Sequence, residues 1–340
     1  MNIGEIAKRA NVSRSTVSYA LSGKRPVSEA TRQKIQQVIA ELGYRPNASA
    51  RALANGRTRT LGVVFPPAGA HYTGMQLDFL GSLVEAAAAL DYDVLMSASA
   101  MDGEQSFQRL LGERRIDGAI LMEIRLADDR VDHLSEAGIP FVTIGRTATP
   151  EQTSWVAVDH GALVAACVDH LADLGHQRIA LVNRPDRLLR IGYESAHRGL
   201  DGFQRAVAAR NLAGRHYPCG DDAASGEACV EQILRDDPAT TALVTLNEAA
   251  LGGLYRGLAS AGRAVPRDFS VTGVALTHWA ETVTPQLTSA DVPAAQLGQL
   301  AVELLVERLT DPDQPPRHHL LAPPISLRAS TGPAPAASSS

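Results

Sequence analysis

The chain is 340 residues long, 45% hydrophobic and 20% charged, the make-up of a folded globular protein and too long for one ordinary core at roughly 100–200 residues per domain. No window approaches the roughly 18 uninterrupted apolar residues of a membrane span, and the start MNIGEIAKRA has no apolar signal core, so a cytoplasmic protein without membrane contact is expected. The net charge of −5 conceals a division: residues 1–60 hold eleven Lys and Arg against Glu5, Glu29 and Glu41, or +8, leaving 21 against 34, or −13, in the rest. One end therefore suits a polyanion.

Residues 2–22 read as two short helices around a tight turn. Ile3, Ile6, Ala7 and Ala10 recur at helical spacing, Asn11 tolerates the left-handed turn that must follow, and Ser13 is an N-cap for the second helix. Val17 and Leu21 fill the space between the two. A third helix starts at Ser28, another N-cap, and runs through Ile35, Val38, Ile39 and Leu42 to Gly43. This is a helix-turn-helix pattern. Arg14, Ser15 and Ser18 face outward at the start of its second helix, with Tyr19 one turn on, where base edges and phosphates of a major groove would lie.

After Arg45-Pro46-Asn47, the segment ASARALANG holds barely two helical turns, too few for a stable isolated helix. IAKRANVSRSTVSYALSG, VSEATR, LGYRPNASARALANGRT and the following LGVVFP resemble, in order and spacing, the DNA-binding head and hinge of the LacI/GalR family. The resemblance implies that two hinge helices order together in the minor groove, with Leu53 as the wedge between base pairs and Asn47, Ala50 and Arg51 toward DNA. Ser13, Ser18, Ser28, Thr31 and Tyr44 match phosphate-contacting positions, while Arg14 and Ser15 match the base-reading pair. Tyr19 departs from the arginine of many members, so the operator sequence cannot be copied from them.

From Leu61 onward, short β-rich runs alternate with amphipathic helical stretches: LGVVF, Leu77–Leu90, YDVLM, Ser106–Leu111, GAILM, Val131–Ala137 and FVTIG. A second set follows: Ala162–Leu174, RIALV, Ala196–Ala209, a helix near Cys229–Leu234, ALVTL, Ala249–Ala261, FSVTGV and Ala295–Leu309. Such alternation predicts an α/β fold of two doubly wound parallel-sheet lobes, preceded by the all-α head, with a ligand cleft at the strands' carboxyl ends. The segments resemble the periplasmic-binding-protein-like effector domain of LacI/GalR regulators. The expected division is 1–45 head, 46–60 hinge and linker, 61–330 effector-binding and dimerisation domain, and 331–340 disordered tail.

Sugar sites use forked donors and carboxylates, because each hydroxyl both donates and accepts. By motif match Asn247 and Arg198 are the first expected effector ligands, followed by Arg146 and Asp159 at strand ends; Trp279 could stack on a sugar face. Two departures stand out. The family's Gly-Phe-Asp-Asp loop reads Gly273-Val274-Ala275-Leu276, and its usual Asn-Asp reads Asn247-Glu248.

Cys167, Cys219 and Cys229 are odd in number and lack CxxC spacing, and His318-His319 has no carboxylate or cysteine at ligand spacing, so neither a disulfide framework nor a metal site is expected. No GxSxG, HExxH, GxxxxGK[ST] or strand-following GxGxxG occurs, and no cofactor is expected. The resulting expectation is a regulator, most simply a repressor, that binds a pseudo-palindromic double-stranded operator as a homodimer under control of a small effector, a sugar in the first instance. The competing readings are corepression by a nucleobase or other non-sugar ligand, a solute receptor without gene regulation, and an enzyme using the cleft.

Overall fold

The computed structural model describes residues 3–22, 25–43, 57–65, 74–98, 112 and 115–336. The head comprises α1 (Ile3–Ala10), α2 (Arg14–Ser22) and α3 (Glu29–Leu42). The turn between α1 and α2 places Asn11 at φ 52°, and Ser13 Oγ accepts the Thr16 N–H at 3.0 Å. Ser28 Oγ likewise accepts the Thr31 N–H at 3.3 Å, and Gly43 closes α3 at φ 58°. Each satisfies backbone groups that a helix end leaves open. Ile6, Ala7, Ala10, Val17, Ile35 and Val38 bury together as the head's core, as their spacing predicts. The Leu21 side chain and the segment expected to form the hinge helix lie outside the described residues.

The body runs through β1 (Thr60–Phe65), α4 (Gly74–Ala89), β2 (Asp93–Ala98), β3 (Gly118–Leu121), α5 (Asp129–Glu136), β4 (Phe141–Ile144) and β5 (Trp155–Val158). It continues with α6 (His160–Asp173), β6 (Arg178–Asn183), α7 (Asp186–Arg190), α8 (Glu194–Ala209), β7 (Ala213–Pro218), α9 (Ala223–Asp236) and β8 (Ala242–Thr245). The last elements are α10 (Leu251–Ser260), β9 (Ser270–Ala275), α11 (Thr277–Glu281), β10 (Thr288–Asp291), α12 (Ala294–Thr310), β11 (His318–Leu321) and β12 (Ile325–Ser326). The predicted Ser106–Leu111 helix lies outside the described residues.

Two six-stranded sheets result, in the orders β11-β5-β4-β3-β1-β2 and β12-β10-β9-β8-β6-β7, and every strand pair is parallel except β10 with β12. Parallel sheets covered on both faces need strands apolar throughout, which is why β1, β3, β5, β8 and β9 are buried almost without alternation. The chain crosses between lobes three times: from β5 into α6, from β10 into α12, and between β11 and β12. The sequence grouped Ala295–Leu309 with the second lobe. The structure instead packs α12 on α4 and on β3–β5 of the first sheet, because helical periodicity shows that a face is buried but not which sheet buries it.

Helices α6 and α8 approach unusually closely. A Cβ on Gly202 would lie 2.2 Å from the Gly161 carbonyl oxygen. Gly202→Ala is therefore expected to lower stability by about 2 kcal/mol through overpacking, measurable by urea unfolding; a loss below about 0.5 kcal/mol would show that the helices separate freely.

The expected disordered tail is corrected as far as Ala334. Gly332 N–H donates to Ser270 Oγ at 3.1 Å, its carbonyl lies 3.1 Å from His176 Nε2, and Ala334 N–H donates to the Leu174 carbonyl at 2.8 Å. A Pro/Ala/Ser composition offers no core residues, but backbone and hydroxyl groups suffice when a strand start and a helix end present partners.

Candidate effector cleft and DNA-reading head

In both lobes the strands' carboxyl ends open on one cleft of about 840 Å³, including its solvent-open mouth. Met122 follows β3, Ile144 ends β4, Val158 ends β5, Leu246 follows β8, Val274 lies in β9 and Val292 follows β10; together with Met75 and Phe79 of α4 they give the cleft an apolar floor. Its polar lining includes Glu123, His160, Arg184, Tyr193, Glu194 and Glu248.

Arg184, immediately after β6, is buried with Glu248 at 3.5 Å and Asp221 at 3.6 Å, and its guanidinium lies 5.9 Å from the Tyr193 ring centre. Its Nε and Glu248 Oε1 have no hydrogen-bond partner, so both have capacity left for a ligand. Glu123 adopts φ 55°, left-handed backbone that a glutamate rarely occupies. Arg130 holds it there by donating from Nη2 to the Met122 and Glu123 carbonyls at 3.0 and 3.1 Å, and is itself gripped by Asp128 at 2.8 and 2.7 Å. Burial and the Glu123 carboxylate raise the Tyr193 phenol, which therefore stays neutral.

Three residues expected from sequence meet around Glu194. Arg146 lies 3.8 Å from its carboxylate and 3.7 Å from Asp159, and Arg198 lies 2.6 Å from Glu194 while donating to the Thr147 carbonyl at 3.2 Å. Asp159 also caps α6 by accepting the Ala162 N–H at 3.2 Å. Burial pushes the Glu194 carboxyl up to about 7 against the pull of Arg198 and Arg146. Burial and the Arg146 charge push His160 down to about 4.

Asn247 and Trp279 do not join the Glu194 cluster; Asn247 lies between the lining residues Leu246 and Glu248, with its Oδ1 lacking a hydrogen-bond partner. Asn247 is fully buried and donates from Nδ2 to the Cys219 and Gly220 carbonyls at 3.0 and 3.1 Å, so it fixes the loop after β7. Trp279 packs on Gly74 and donates to Asp78 Oδ2 at 3.2 Å. Sequence reading missed Glu123, His160, Arg184, Tyr193 and Glu194 as lining residues. For Arg184 a signal existed: it directly follows the run RIALVN, at the carboxyl end where open sheets bind ligands.

In the head, Ser13, Arg14 and Ser15 are exposed at the start of α2, while Ser18 and Tyr19 are half-buried. The Arg14 guanidinium rests against Gly4, and Arg25 lies 5.3 Å over the Tyr19 ring. Ser28 and Thr31 share a hydroxyl contact of 2.7 Å at the start of α3. Tyr44, Asn47, Ala50, Arg51 and Leu53 lie outside the described residues.

Residues 2–47 match the model of the bacterial regulatory proteins, lacI family, and residues 168–331 match the periplasmic binding protein-like domain. The HTH-type transcriptional regulator AglR of Rhizobium meliloti (strain 1021) is 30% identical over 345 residues, spanning 98% of this chain and 95% of that protein. The chain belongs to the LacI family. The lac repressor dimer bound to operator and the anti-inducer ONPF is similar to this LacI-family chain at TM-score 0.84 and 25% identity, covering 98% of this chain and 99% of that one. The transcriptional regulator CelR–cellobiose complex is similar at TM-score 0.71 and 26% identity, covering 97% and 99%. This LacI-family protein is a DNA-binding transcriptional regulator, with a helix-turn-helix head and a two-lobed effector domain. Among the described residues no helix is long and apolar enough to cross a membrane.

Proposed function

We propose that this LacI-family regulator acts in the cytoplasm as a homodimeric repressor, gripping a pseudo-palindromic operator with paired heads and changing its grip when an uncharged, hydroxyl-bearing effector, a sugar, binds between the lobes without turnover. The carrying observation is the polar lining of the cleft. Three carboxylates, Glu123, Glu194 and Glu248, line it with the Arg184 guanidinium, and two of them are already paired, Glu248 with Arg184 and Glu194 with Arg146 and Arg198. A phosphate or acid would have to break those pairs, whereas hydroxyls can donate to the carboxylates and accept from the guanidinium in place, so the lining favours a neutral, hydroxyl-bearing ligand. The apolar floor suits the C–H face of a sugar ring. The cellobiose held by CelR supports the same class.

Dimerisation is supported by exposed apolar side chains along one edge of the first lobe. Leu77 and Val84 of α4 are 55% and 45% exposed, and Met96 of β2, an edge strand of the sheet among the described residues, is 44% exposed. A second copy would cover them.

A thermal-shift panel of mono- and disaccharides, sugar phosphates and nucleobases tests the effector class. A neutral sugar should raise Tm, with about 2.7 kcal/mol of added stability at a hundredfold excess over Kd. A rise confined to phosphates or nucleobases would overturn it.

For the head, operator affinity should fall steeply between 50 and 200 mM salt, about a thousandfold or more if six or more phosphates are neutralised. Leu53→Ala should weaken operator binding at least about tenfold and leave effector affinity unchanged. Affinity unchanged in that variant removes the hinge wedge.

A further inference from the structure

Beside the Arg146–Glu194 and Arg198–Thr147 contacts, two further contacts between the described residues join the lobes around the cleft. In the first, backbone meets backbone: the Leu126 N–H donates to the Gly192 carbonyl at 2.8 Å and the Glu194 N–H to the Ile124 carbonyl at 2.9 Å, with Arg125 bridged to Tyr193. The second is made of side chains. Asp78 of α4, in the first lobe, has Oδ2 at 3.1 Å from His278 Nε2 and at 3.2 Å from Trp279 Nε1, both on α11 of the second lobe.

The indole sits in a socket that a side chain would fill. A Cβ on Gly74, the first residue of α4, would lie 2.1 Å from Trp279 Cζ2 and 2.6 Å from Cε2. Only a residue without a Cβ lets the ring approach the helix start this closely. The adjoining residues tie the same helix to the cleft and to the outside: Met75, Gln76 and Phe79 line the cleft, and Leu77 and Val84 present the exposed apolar face. Helix α4 is thus touched by the cleft, by the second lobe and by solvent within two turns.

We infer that His278 and Trp279, closing on Asp78 and the Gly74 socket, are positioning residues that clasp the lobes together and carry cleft closure into α4, and through its exposed face to a second subunit. The inference rests on the effector-controlled reading above. It assigns Trp279 to the coupling between sites instead of to stacking on the ligand. A clasp that exists only in the closed arrangement biases a two-state equilibrium by whatever it contributes there, and breaking it must move both affinities, in opposite directions where effector and operator prefer opposite arrangements and in the same direction where they share one.

The test uses the full-length chain without effector. The protein has two tryptophans, so a Trp155→Phe background leaves Trp279 as the only indole reporter. In that background, Asp78→Ala removes both polar contacts, and Gly74→Ala expels the ring while leaving every polar group in place. Asp78→Asn retains an amide oxygen for the indole N–H. Asp78→Ala and Gly74→Ala should each shift Trp279 emission to the red, raise the radius of gyration in solution scattering, and move operator Kd about fivefold or more in one shared direction. Asp78→Asn should stay close to the parent. Melting temperature and circular dichroism show that each variant is folded.

Emission, radius and operator Kd that remain at parental values in both folded variants would overturn the clasp. A shift in only one of the two would overturn it as well, because both break the same contact. A parent protein that binds no duplex of any sequence defeats the regulator reading itself, an outcome distinct from variants that match a DNA-binding parent.

Discussion

Arg184→Ala is expected to cost about 3–5 kcal/mol of folding stability and to abolish effector binding. The guanidinium side chain is 9% exposed and faces Glu248, 2% exposed, and Asp221, 20% exposed. Removing it strands the Glu248 carboxylate, while Asp221 keeps Arg187 at 3.1 Å, and stranding a buried charge is far more damaging than losing the net value of the pair. The surrounding structure makes the converse prediction too. Arg184→Met combined with Glu248→Gln should recover part of the loss, since the most buried unpaired charge is gone while the volume is largely kept. Urea unfolding measures both. A loss below about 1 kcal/mol for Arg184→Ala would mean that Arg184 does not neutralise this end of the cleft.

Glu194 and His160 should make opposite contributions to the pH dependence of stability. Glu194 titrates near 7 in the folded chain against 4.5 in the absence of the fold. Between those values the folded chain keeps a proton that the unfolded chain has released, so stability falls by about 3 kcal/mol as pH rises through the window. His160 titrates near 4 against 6.5, so between those values the unfolded chain holds the extra proton and stability rises with pH by a similar amount. In the wild type the two nearly cancel over the overlap. Glu194→Gln should therefore gain about 3 kcal/mol relative to wild type as pH rises from 4.5 to 7, and His160→Asn should lose about as much from 4 to 6.5. Variant-minus-wild-type unfolding free energies across pH 4–7.5 isolate these effects. Parallel curves for wild type and both variants would refute the assignment. Because Glu194 lines the cleft and sits between Arg146 and Arg198, a bound effector that hydrogen-bonds its carboxylate should reduce the slope.

The head shows how far local rules reach. Asn11 in a left-handed turn, Ser13 and Ser28 as caps, Gly43 as a stop and the Ile6–Val17–Ile35 core all follow from short-range sterics and 3.6-residue spacing. In the body, the β/α alternation announced two parallel lobes, since a strand buried on both faces is apolar throughout. The edge strand β7, with the sequence AGRHYP, escaped notice because most of its residues are exposed and so carry no such run. Strands β11 and β12 are short and only partly buried, and gave no signal either.

The cleft divides the same way. Arg146, Asp159 and Arg198 stand out in the sequence because they occupy strand ends or a helix start within recognisable segments; in the structure they gather around Glu194, which lines the cleft, behind the lining itself. Glu194 itself, lacking any such local mark, became the centre only once α8 was packed against the β4 exit.

By itself the sequence determined the chain's division into a basic helical head and an acidic two-lobed body, because charge balance, caps and periodicity are properties of neighbouring residues. Tertiary structure alone decided that α12 serves the first lobe, that Asn247 braces a loop, that Trp279 reaches Asp78 and Gly74, and that Arg184 meets Glu248 across 64 residues. These are contacts between segments remote along the chain. What selects them is the burial of whole helix faces and the pairing of charges withdrawn from water, neither of which leaves a local pattern to read.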